Sequence, residues 1–329
     1  MNAFKNTAFS TSQRSLTTSF AASLCCLIMT ACGGGGSDAT STSTGIGTTT
    51  TPSTTSTTTA GVLCDYSSSV FNNSPSVNAT ATATWSCSST LRSLTTNGLP
   101  DHAVGTFPNV SNPNTIAART TSVSGKLTPT LTSAATAQSG PGVPMGYVLN
   151  GIKLDPGTAG TCDDTGTQCD PGRPVGAWNL EGIGGAFNFG TDANNAHVQP
   201  DGAYHYHGIP EGFVTKLNKG QAMTLIGWAA DGYPIYARYG YSVAADAAST
   251  LKVVKPSYRI KTVPDAKRPP TSLLPMGTFT QDYEYVAGLG DLDECNGRTG
   301  VTPEFPKGIY HYYATNTYPY LQRCVKGTL

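Results

Sequence analysis

His205 and His207 stand one residue apart in the stretch Tyr204-Tyr206 and its successor, in a chain of 329 residues with only five histidines. In a β-strand alternate side chains share a face, so these two imidazoles project to one side, about 6–7 Å apart along the strand. Tyr204 and Tyr206 then project to the other side and pack into a core. Imidazoles so placed converge on one metal ion at bonds of about 2.0–2.1 Å. The other histidines are His102 in LPDHAVGTFP, His197 in NNAHVQPDG and His311 in GIYHYY. His197 comes just before the turn that opens the His205 strand. His311 matches His205 in a weak internal echo, in which DGAYHYHG near residue 204 recurs as KGIYHYYA near residue 310. The echo predicts two strands side by side, with His205, His207 and His311, joined by His197, holding a divalent or copper ion. Imidazole suits zinc, copper, iron and nickel alike, so ligand type does not choose among them. His102 fits a ligand or a structural imidazole equally.

Carboxylates gather at turns near these strands. Asp201 and Asp231 each precede a glycine, the hairpin-turn signal, and read as turn residues. Asp293 and Glu294 adjoin Cys295, where a disulfide would hold them rigidly. They are the candidate catalytic groups: a metal-activated water would attack a small exported substrate, with Asp293 or Glu294 as general base. No GxSxG nucleophile elbow is present.

The elements that must position these groups follow from the rest of the chain. Lys5 and Arg14 precede a short apolar run ending in MTAC, the pattern of a secretory signal and of a lipobox. Residues 1–31 read as a lipoprotein-type signal peptide, Cys32 as the lipidated residue that binds the membrane, and 32–60 as a Ser/Thr-rich flexible tether. Plain secretion is the alternative; either way the expected location is the bacterial cell envelope. Residues 61–329 read as one globular domain.

Of nine cysteines, Cys25, Cys26 and Cys32 belong to the signal, which leaves six in an exported domain. Proximity in sequence favours the pairs Cys64–Cys87, Cys162–Cys169 and Cys295–Cys324. Twenty basic residues balance twenty acidic ones and no run of like charge appears, which argues against a nucleic-acid partner. VNATATATW (77–85) alternates as a half-buried strand does, and TLIGWAADGYPIYARYGY (224–241) reads as strand, Asp-Gly turn and strand. SVAADAASTLKVV (242–254) is the best helix candidate, and EGIGGAFNFG (181–190) reads as a loop. The expected fold is mainly β, a disulfide-stabilised β-sandwich or barrel-like domain with long Gly/Pro-rich loops.

DGAYHYHGIP, GWAADGYPIY, LDECNGR and GIYHYYATNTYPYLQRC together resemble the YHYH family of exported bacterial proteins, and the resemblance runs from about residue 97 to 327. It implies export and no particular activity. The function expected from the residues is a metal site serving metal handling or metal-dependent hydrolysis. The alternative is a metal-free binding or interaction module that presents a tyrosine-rich surface to a small-molecule or glycan ligand.

Overall fold

The computed structural model describes residues 61–137, 142–185 and 187–329, so the signal, Cys32 and tether readings lie outside the described residues. The described chain is mainly β, with one curled sheet and three disulfides. The disulfides are Cys64–Cys87, Cys162–Cys169 and Cys295–Cys324, as expected from their proximity in sequence. Among the described residues no helix is long and apolar enough to cross a membrane.

A four-stranded antiparallel meander comes first: β1 (Ser67–Asn72), β2 (Ala79–Cys87), β3 (Leu91–Thr96) and β4 (Thr121–Lys126). The alternation in β2 does what period-2 patterning requires, burying Ala81, Ala83 and Trp85 on one face. The eight-stranded curled sheet follows. Its strands are β5 (Gly146–Val148), β6 (Lys153–Leu154), β7 (Ala196–Val198), β8 (Tyr204–Tyr206), β9 (Thr224–Ala229), β10 (Pro234–Ala237), β11 (Gly297–Gly300) and β12 (Ile309–Ala314). Their spatial order is β7-β8-β6-β5-β9-β10-β12-β11.

That order hides a repeat. In each half one antiparallel hairpin (β5–β6, β9–β10) is joined by a second (β7–β8, β11–β12), whose last strand runs parallel to the end of the first. Details recur with the topology. Tyr206 pairs with Leu154 and Tyr312 with Ile235. The first hairpins turn at Asn150-Gly151 and Asp231-Gly232, both glycines at positive φ, where a Cβ is disfavoured. Each turn's polar side chain meets the hydroxyl of the second tyrosine, Asn150 with Tyr206 and Asp231 with Tyr312. Asp192 and Asp293 each accept the hydroxyl of the first tyrosine, Tyr204 and Tyr310. Asn195 and Asn296, three residues on, both adopt left-handed backbone. The echo seen in the sequence is the visible part of a duplicated unit.

Two expectations are corrected. Residues 242–254 are not helical. Asp246 organises turns there, accepting from the Ala248 amide, and the segment ends in a strand, Leu251–Val253. The α-helix of the described residues, α1 (Glu211–Leu217), follows the YHYH strand instead, too short to announce itself by periodicity. The tyrosines do not make a sticky surface. Of all sixteen, only Tyr285 is exposed.

Candidate metal centre

The histidine site is built on the β7–β8 hairpin. Pro200, Asp201 and Gly202 make its turn: the Gly202 amide donates to Gln199, and Gly202 takes positive φ. That turn fixes the register, which sets His197 directly opposite His205. Alternation puts His207 on the same face as His205, while Tyr204 and Tyr206 point the other way. There Tyr204 donates to Asp192, and Tyr206 meets Asn150 and His102 Nε2. His102 is thus a structural partner of Tyr206, on the face opposite the three imidazoles.

His197, His205 and His207 form one group whose candidate ligand atoms all lie within 4.8 Å of one another. Nε2 of His207 is 3.0 Å from Nε2 of His197 and 3.0 Å from Nε2 of His205. Two tautomers are fixed by neighbours that can only accept. His197 Nδ1 donates to the Phe189 carbonyl at 3.0 Å and His205 Nδ1 to the Ala203 carbonyl at 3.3 Å. Both Nε2 atoms therefore carry lone pairs. His207 Nε2 has at most one proton to share between two acceptors, so the cluster cannot satisfy itself. Nitrogens on a tetrahedral zinc ion at about 2.05 Å lie about 3.3 Å apart, close to the separations seen.

Electrostatics keep the site in its ligand form. Burial holds His205 and His207 well below the ordinary imidazole range, and the neighbouring imidazoles push the same way. Burial also lowers His197, against the raising effect of its Phe189 hydrogen bond. Neutral imidazoles are what a metal requires. His205 and His207 are buried and His197 is half-buried, so the approach to the site is on the His197 side.

The described residues of the Gly-rich stretch 181–190 form a loop, as expected, and Gly182 lies against the site. A Cβ on Gly182 would sit 2.7 Å from His207 Nδ1, so this residue must be glycine for the imidazole to stand where it does. His207 Nδ1 makes no well-formed hydrogen bond, although the Pro156 carbonyl lies on that side of the ring. The loop also supplies Glu181, whose buried carboxylate is held by both contacts from Arg323 Nη2, at 3.0 and 2.9 Å.

Strand β6 brings groups with no signal near the YHYH stretch. Its parallel pairing sets Lys153 opposite His205, and Asp155, two residues on, shares that face. Lys153 donates to Gln199 at 2.6 Å, and Gln199 donates to Asp155 at 3.1 Å. Asp155 is fully buried with Oδ1 unpartnered, and burial raises its pKa against the pull of Lys153.

His311 does not join the group, which corrects the shared centre expected from the echo. Four strands stand between β8 and β12, about 24 Å along a flat sheet at the usual strand spacing. His311 Nδ1 donates to the Ile309 carbonyl, and its Nε2 lies 3.0 Å from the Tyr313 hydroxyl. The two acids are engaged elsewhere. Asp293 accepts from Tyr310 and from the amides of Cys295 and Gly297, and Glu294 pairs with Lys326 at 2.7 Å. The duplication explains Asp293: it fixes Tyr310 as Asp192 fixes Tyr204.

The sequence profile described as YHYH protein matches residues 123–327. The chain belongs to the YHYH family. No curated protein and no solved structure matches it. The YHYH match contains both halves of the curled sheet and all three clustered histidines, whereas His102 and strands β1 to β3 precede it.

Proposed function

We propose that this YHYH protein binds one divalent or copper ion through Nε2 of His197, His205 and His207. The observation that carries the reading is the position of His207 Nε2, 3.0 Å from two nitrogens whose lone pairs face it. A cation relieves that convergence, and among the described residues no Lys or Arg donates to these nitrogens. Among the described residues the group contains no fourth His, Cys, Asp or Glu ligand. Three protein ligands leave a coordination position open, as in sites that act on what they bind; structural zinc sites close all four. Asp155 and Lys153, on the same face, are the groups placed to meet an exogenous ligand there. Metal-dependent hydrolysis therefore fits the ligand count better than storage does. Export and anchoring through a lipidated Cys32 complete the proposal, in keeping with three disulfides, which persist in an oxidising compartment.

Metal analysis of the purified full-length chain, without an affinity tag, tests the reading. One ion per chain is expected, lost in His207→Ala and kept in His311→Gln. A native protein that neither carries nor takes up metal overturns it.

A further inference from the structure

A cleft lies where the meander meets the curled sheet. Strand β3 buries Arg92 with its guanidinium stacked on the Trp228 indole, 3.3 Å from the ring centroid. Beside them the cleft opens to about 250 Å³, lined also by Trp85, Tyr147, Lys126 and Pro144. That is just below the usual span of small-molecule sites, about 300–1,000 Å³.

Two buried donors beside this cleft lack acceptors. Arg92 is 5% exposed, and its Nε donates to the Leu63 carbonyl. Its Nη1 is buried without a partner, and so is Nε1 of Trp228. Among the described residues no Asp or Glu lines the cleft. Lys126 at the rim is already engaged, donating to the Thr328 carbonyl at 3.0 Å, to the Thr328 hydroxyl and to the Leu329 main-chain oxygen at 3.3 Å, so the unmet donors are those of Arg92 and Trp228. A buried guanidinium with no counter-charge is costly, and burial alone pushes Arg92 down to about 10. Guanidinium groups recognise planar oxyanions through paired N–H bonds, and an indole N–H adds a further donor. The remaining walls are aromatic and apolar, so the anion should carry a flat or apolar body.

We propose that the cleft between Arg92, Trp85 and Trp228 binds a small carboxylate attached to a ring. The site is separate from the three histidines: Trp228 follows His205 along one row of the sheet, three strands away, about 14 Å on a flat sheet. Arg92 and Trp85 precede the family match while Trp228 and Tyr147 lie within it, so this chain's own N-terminal strands complete the site.

Tryptophan fluorescence of the full-length protein, titrated with benzoate, phenylacetate and glucuronate, reads the site directly. At least one should bind saturably at millimolar concentration or below, and the matching amide (benzamide, phenylacetamide or glucuronamide) should bind about tenfold or more weakly. Arg92→Met, which keeps the stem over the indole, should lose that preference and retain the metal content of the native chain. Trp228→Phe should weaken the carboxylate while leaving the amide unchanged. Absence of binding by all three acids overturns the proposal, as does equal affinity for acid and amide, or an Arg92→Met protein that binds the acid as the native one does.

Discussion

Arg298 stands opposite His311 in the β11–β12 pairing, at the register position that His197 holds opposite His205 in β7–β8. Tyr313 completes the correspondence by taking the place of His207. Here the chemistry closes on itself. Tyr313 donates its hydroxyl proton to His311 Nε2, 3.0 Å away, and Arg298 Nη2 donates to the same hydroxyl oxygen at 3.1 Å. A fixed cation and a proton thus satisfy the second site, whereas the first gathers lone pairs with nothing between them.

If the two sites differ only in these side chains, Arg298→His combined with Tyr313→His should create a second centre. Metal analysis is expected to read two ions per chain in place of one. The reverse exchange, His197→Arg with His207→Tyr, should give a folded chain without metal. A correctly folded Arg298→His, Tyr313→His protein that still binds one ion would show that the duplication does not extend to ligand geometry.

Gly182 offers a way to disturb the centre without touching a ligand. In Gly182→Ala the new methyl meets His207 Nδ1 at 2.7 Å, so the imidazole must tilt away from the other two. Changes around metal ligands typically cost 10–100-fold in affinity, and a loss of about that size is expected here. Competition against a chelator of known affinity measures it. Unchanged affinity would mean that the loop gives way and His207 does not.

How much of this was legible in the sequence depends on where each signal lay. His205 and His207 could be paired by strand alternation alone, and His197 was within reach because one short turn joins it to them. The echo around His311 was also visible, yet it marked equivalence and not proximity. Duplicated strands take matching places in their own halves, and hairpin connections within each half keep them apart. Two further pairs carried the same message, Asn150-Gly151 with Asp231-Gly232 and Asp192 to Asn195 with Asp293 to Asn296. Their common order, a turn residue before glycine, then an Asp three residues ahead of an Asn, then the Tyr-His strand, was the cue for a repeat. Lys153 and Asp155 had no cue, because a two-residue strand paired in parallel leaves no local pattern. Nor did Arg92, whose burial depends on Trp228, far along the chain.

His311 sets an acid limit on stability. Burial first, and Arg298 second, lower its pKa from 6.5 to about 4, so the folded protein resists a proton that the unfolded chain accepts. The unfolded state binds more protons between those values, and stability falls as pH drops from about 6.5 towards 4. The full loss is about 3 kcal/mol below that window, with none above pH 7. Denaturant unfolding of the metal-stripped protein should show this slope, and His311→Gln should remove that part of it. Identical pH profiles for the two proteins would refute the assignment.

Asp293 separates a structural carboxylate from a general base. Its two oxygens take the Tyr310 hydroxyl and the amides of Cys295 and Gly297, so Asp293→Ala orphans three donors in a largely buried turn. Each such group costs about 1–3 kcal/mol when left unpaired, and water reaching the turn would recover part of the sum. A loss of about 2–4 kcal/mol is expected, with metal stoichiometry unchanged because the three histidines sit in the other half of the sheet. Asp192→Ala, by contrast, releases Tyr204 in the strand that carries His205, and should lower stability and metal affinity together. A loss of metal affinity in Asp293→Ala as large as that in Asp192→Ala would put Asp293 back beside the metal, as its position next to Cys295 first suggested.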